Sequence, residues 1–176
     1  MQIDLIGYRY TKEELAVLMS LQGYAKIPAV PAIPRPDREQ FAAGMDALEE
    51  NDILSSVGGR LLLDRVHAFL IENLCDCDRY FTVSGGKAFL AACACPKVFI
   101  TVSSRNGASW VLHVATDLAD LLEDFREEAA RFRNGGAIRF SSGGELKETQ
   151  APDHETLASE MEKAIAILRK REELFG

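Results

Sequence analysis

Apolar and polar positions first alternate weakly. Between Gln2 and Tyr10, Ile3 and Leu5 fall on one side, which predicts a short strand or extended arm. Thr11-Lys12-Glu13-Glu14 then reads as a capping box, in which the Thr11 hydroxyl serves a free backbone N–H and Glu14 reaches back. Leu15, Leu18, Met19 and Leu21 follow at helical spacing, and Gly23 stops the helix. Asp37 to Gln40 is a second capping signal, before a helix with Phe41, Met45 and Leu48 inward that ends near Asn51. Ile53 to Leu63 carries Gly58-Gly59 and reads as a turn between two short extended pieces. A third helix is expected from about Asp64 to Leu74, with Val66, Phe69, Leu70 and Leu74 on its apolar side.

The middle of the chain changes to a period of two. Arg79–Ser84, Lys87–Ala94, Val98–Ser103 and Ser109–Ala115 are strand-like, separated by Gly85-Gly86, by Pro96 and by Asn106-Gly107. Strands joined this closely form an antiparallel meander. Phe81, Val83, Phe89, Ile100, Val102, Trp110 and Leu112 are its expected core, and its hairpin tips should project from the same edge or end. Thr116 or Asp117 caps a helix with the stripe Leu118, Leu121, Leu122, Phe125, Ala129 and Phe132, which Asn134-Gly135-Gly136 ends. Ala137–Phe140 and Glu145–Thr149 flank Ser141-Ser142-Gly143-Gly144 as another hairpin. Pro152-Asp153 opens a last helix, striped by Leu157, Met161, Ala164, Ile165 and Leu168. The sum is one α+β domain over residues 1–176, an antiparallel meander sheet packed with flanking amphipathic helices.

Composition narrows the function. At 176 residues and 47% hydrophobic, the chain can bury a core without metals or disulfides. Lys+Arg 20 against Asp+Glu 27 gives a net charge of −7, which disfavours nucleic acid as a partner. No apolar run approaches the ~20 residues of a membrane span, and the amino terminus lacks the pattern of a signal peptide. The expectation is a cytoplasmic protein with no membrane insertion and with reduced cysteines. Four of the six prolines lie between Pro28 and Pro36, which reads as a stiff connector with Val30 and Ile33 packed on the body.

Candidate chemistry is sparse. Cys75-Asp76-Cys77 and Cys93-Ala94-Cys95 could face one another, as small buried hydrophobes, as metal ligands or as a redox pair. The turn-forming Cys-x-x-Cys spacing is absent, so the structural role is preferred. His67, His113 and His154 have no carboxylate or second histidine at metal-ligand spacing. Ser84-Gly85-Gly86-Lys87 fails as a phosphate loop, with Phe81 in place of the first glycine and Ala88 in place of the Ser or Thr. Asp117, Asp120, Glu123 and Asp124 are spaced as the solvated face of a helix. The expectation is no catalytic residue, no metal, no cofactor and no enzyme activity.

Helix, glycine turn and helix between Phe41 and Ile71 are similar to the helix-and-wing stretch of winged-helix regulators. Asp46, Glu49, Glu50 and Asp52 would repel phosphate there. Taken with the meander "RYFTVSGGKAFLAACACPKVFITVSS", with "SWVLHVATDLADLLEDF" and with the opening "TKEELAVLMSLQGYAKIP", the layout over residues 10–130 resembles the EspG family, cytosolic chaperones of type VII secretion. Members are longer and carry two similar halves; this chain has about one. The resemblance implies an adaptor that binds a secreted helical substrate of the WXG, LXG or PPE-like kind, or pairs with itself. Arg105, Asn106, Ile165 and Leu168 are the candidate partner-binding residues. A toxin-neutralising immunity protein and a winged-helix regulator are the alternatives.

Overall fold

A computed structural model describes residues 6–142 and 145–175; Ile3, Leu5 and the Gly143-Gly144 turn lie outside the described residues. The elements follow in the order β1 (Ile6–Thr11), α1 (Lys12–Leu21), α2 (Arg38–Glu50), β2 (Leu54–Val57), β3 (Arg60–Leu63), α3 (Arg65–Cys75), β4 (Tyr80–Gly85), β5 (Ala88–Ala94), β6 (Phe99–Ser104), β7 (Ser109–Ala115), α4 (Leu118–Ala129), β8 (Gly136–Ser142), β9 (Glu145–Ala151) and α5 (His154–Phe175). The fold is α+β, as the pattern predicts.

Seven strands form one antiparallel sheet in the order β1-β7-β6-β5-β4-β8-β9. The expected meander is its centre. The opening strand adds to one side, Tyr10 opposite Trp110. The late hairpin adds to the other side, Phe81 opposite Phe140. Neither pairing has a local sequence signal, because both join segments separated by long stretches of chain.

Alternation along the central strands sends side chains into two cores. On one face, Phe89, Ala91, Cys93, Ile100, Val102, Trp110 and Leu112 pack with α1, α2, α3 and the proline segment. On the other, Phe81, Val83, Leu90, Ala92 and Ala94 pack with α4 and α5. The expected sheet core is therefore buried but divided between two layers. Val30 is buried and Ile33 packs against the first core, as a connector requires.

Local signals set the helix starts. The Glu14 N–H donates to Thr11 Oγ1 at 3.1 Å while the Thr11 N–H donates to Glu14 Oε1 at 3.0 Å. Asp37 and Gln40 repeat the arrangement at 2.8 and 3.0 Å. Asp117 and Asp153 cap α4 and α5 through the backbone N–H groups of Asp120 and Thr156. The β2–β3 pair turns on Gly58 and Gly59, with φ of 57° and 77°. Both values belong to the left-handed region a two-residue hairpin turn demands.

One helix face departs from expectation. On α3, Leu70, Ile71 and Leu74 are buried, but Val66 and Phe69 are exposed. Leu70, Ile71 and Leu74 lie on one side of the helix, and Val66 and Phe69 lie at its solvent edge.

Candidate functional site

The β4–β5 and β6–β7 turns leave the sheet at the same end, because Phe89 at the start of β5 pairs with Ser104 at the end of β6. The second tip is built by its own side chains. Asn106 Oδ1 accepts from the N–H groups of Ala108 and Ser109 at 2.9 and 3.3 Å. Ser104 Oγ accepts from the Gly107 N–H at 2.9 Å and donates to the Ser109 carbonyl at 2.7 Å. These bonds leave the Asn106 amide N–H groups and the Arg105 guanidinium outward, and both residues are exposed.

A cleft lies on either side of this tip. One, of about 450 Å³, is lined by Arg9, Arg105, His113, Glu128, Arg131 and Phe132 among others. The second, of about 400 Å³, runs between Pro31–Pro34 and both hairpin tips, with Lys12, Lys87 and Trp110 in its walls. Asn106 lines both. Trp110 Nε1 is buried without a hydrogen-bond partner among the described residues.

His113 stands on β7 at the back of the first cleft. Its Nδ1 meets the buried Asp124 carboxylate of α4 at 3.0 and 3.2 Å. Gly7 of β1 makes room for the ring, since a Cβ there would sit 3.2 Å from His113 Cδ2. Asp124 is therefore not part of a solvated acidic face. It lies beside Leu121 and Phe125 at the border of the helix stripe, where it reaches a polar position of the sheet. Sequence spacing misses this pair because it forms across two elements.

Ile165 and Leu168 are each 1% exposed and pack against the sheet with Phe81, Phe125 and Ile138. They belong to the second core and leave the candidate surface, because α5 covers β8 and β9 and turns its whole apolar stripe inward. Arg105 and Asn106 remain exposed. Apolar surface lies elsewhere. Among the described residues nine large hydrophobics are exposed, and five of them, Val57, Leu61, Leu62, Val66 and Phe69, fall in the β2–β3 hairpin and the start of α3.

Cys77, Cys93 and Cys95 gather under the first core, all buried, while Cys75 stays apart at the end of α3. The four cysteines are free thiols. Hydrogen bonding from Cys93 and Cys95 draws Cys77 down, and bonding to Cys77 together with burial holds those two well above the ordinary thiol range. Burial pushes Cys75 up to about 12. Among the described residues no three His, Cys, Asp or Glu side chains are arranged to hold a metal ion. None of the described helices is long and apolar enough to cross a membrane.

Compared with known proteins, the chain matches no family model and no curated protein.

Proposed function

We propose that the protein is a non-enzymatic adaptor that binds a secreted helical protein of a type VII system and keeps it competent for export, as the EspG-like layout implies. The observation that carries this reading is the apolar surface of the β2–β3 hairpin and α3. Val57, Leu61, Leu62, Val66 and Phe69 are between 36% and 61% exposed along one short stretch of chain. By the hairpin register Val57 and Leu62 share one face while Leu61 lies on the other. Exposed apolar side chains that do adjoin one another mark protein-binding surfaces, whereas single scattered ones do not. An amphipathic helix laid on such a surface would bury its own apolar stripe.

The experiment is co-expression with WXG, LXG and PPE-like secreted proteins followed by affinity capture. Wild-type protein should capture one of them. Leu62→Asp and Phe69→Asp should keep the wild-type far-ultraviolet spectrum, because Leu62 is half exposed and Phe69 lies at the solvent edge of α3, and each should weaken capture about tenfold. Unchanged affinity in the folded double variant, or capture of none of the three classes, overturns the proposal.

A further inference from the structure

We propose that the cleft framed by Arg9, Arg105 and Arg131 is a binding site for a small organic dianion, with a phosphomonoester as the fitting class. The cleft is on the α4 side of the sheet, and its ligand is independent of the adaptor reading.

Charge is the first argument. The chain carries a net charge of −7, yet among the described residues three arginines line this one cleft against a single carboxylate, Glu128. Arg131 spends its charge on Glu128, at 2.7 Å. Arg9 and Arg105 have no ion pair among the described residues. Two guanidiniums without an ion pair among the described residues match the two charges of a phosphomonoester, whereas a single carboxylate would engage only one of them. The fork of N–H donors on each suits phosphate oxygens.

Shape is the second. A cleft of about 450 Å³ is within the ordinary range of small-molecule sites. Leu90, Val111 and Phe132 give it an apolar floor for the organic body, beneath the arginines. The third is rigidity. Arg105 and Asn106 stand on a tip held by four hydrogen bonds, two accepted by Asn106 Oδ1, one accepted by Ser104 Oγ and one donated by it. Arg9 sits in a strand paired along its length with β7. The backbone that carries both arginines is thus fixed before any ligand arrives, and only the exposed side chains remain to be ordered on binding. Asn106 adds amide donors at the mouth.

The test is isothermal titration of the full chain with phenyl phosphate at low ionic strength, with inorganic phosphate and benzoate in parallel. Phenyl phosphate should bind one to one, more tightly than inorganic phosphate, which lacks the apolar body, and than benzoate, which carries one charge. Arg9→Gln and Arg105→Gln should each weaken it by roughly tenfold. Arg60→Gln, which removes an exposed cation from the β2–β3 hairpin, should leave it unchanged, as should Leu62→Asp. Failure to saturate by about 10 mM overturns the proposal. So does equal binding of benzoate, equal weakening by Arg60→Gln, or wild-type affinity in both the Arg9 and Arg105 variants.

Discussion

Tyr10 and His67 show how a single contact ties distant parts of the chain. Tyr10 Oη and His67 Nδ1 share a hydrogen bond, and the Tyr8 and Tyr10 rings stand edge-on to the imidazole at 5.3 and 5.6 Å. Burial lowers the His67 pKa below its ordinary value of 6.5, against a smaller opposing effect of the Asp64 charge. Burial also raises that of Tyr10, so the phenol stays protonated. A lowered imidazole pKa means that the unfolded chain binds the proton more readily. The stabilisation is therefore present above 6.5 and lost as the pH falls through the lower, folded-state value. Urea midpoints should drop between about pH 7 and about pH 5, and the drop should be smaller in His67→Gln, which keeps an acceptor but does not titrate. The thiols give a second expectation. Native protein should react slowly with a disulfide reagent, because Cys77, Cys93 and Cys95 are buried and Cys75 is held protonated, whereas denatured protein should release all four thiols at once. At this scale the sequence was readable where the partner was near. Thr11 and Glu14 are three residues apart and declare themselves. Asp124 and His113 are joined by a strand-to-helix turn that no spacing rule describes.

Helices were readable as elements, and their buried faces mostly so. The α5 stripe Leu157, Met161, Ala164, Ile165 and Leu168 is buried throughout. Periodicity shows that such a stripe must be covered. It does not say whether the cover is the chain's own sheet or another protein, so the period alone allows Ile165 and Leu168 on a binding surface. Their burial makes a direct prediction. Ile165→Asp should unfold the protein or lower its stability by about 3–5 kcal/mol, because the substitution leaves a cavity and an unpaired charge in the core. Chemical denaturation checks this, with Ile167→Asp as a neighbour that should cost little, since Ile167 is 41% exposed. The α3 face departs from its sequence pattern for a related reason. Val66 and Phe69 fit the helical period as well as Leu70 and Leu74 do, and only the packing decides which of them are covered.

The whole molecule is a sheet between two helical layers, and its central strands serve both. Leu90 and Ala91 are neighbours in β5 and enter opposite cores. Loss of either layer would bare one side of the same strands, so the two should melt together. Trp110 fluorescence reports the first core, and far-ultraviolet dichroism reports every helix. Their denaturation curves should coincide, and an earlier dichroism transition would mean that α4 and α5 leave alone. The four-strand meander at the centre was legible from its turns, while the outer pairings were not. That difference has a consequence during synthesis. Ile6 pairs with Val114, so β1 leaves the ribosome roughly a hundred residues before its partner strand. At about 5–20 residues per second it waits for about 5–20 s with its edge open. Meanwhile α1 has its capping box from the start but, at 10 residues, is marginal until α2 emerges to pack on it. The nascent chain thus carries a helix that can settle on α2 early, tethered to a strand that pairs only when β7 emerges. An early stall in translation between the two would leave Tyr8 and Tyr10 exposed, and those intermediates are where a general chaperone would find its grip.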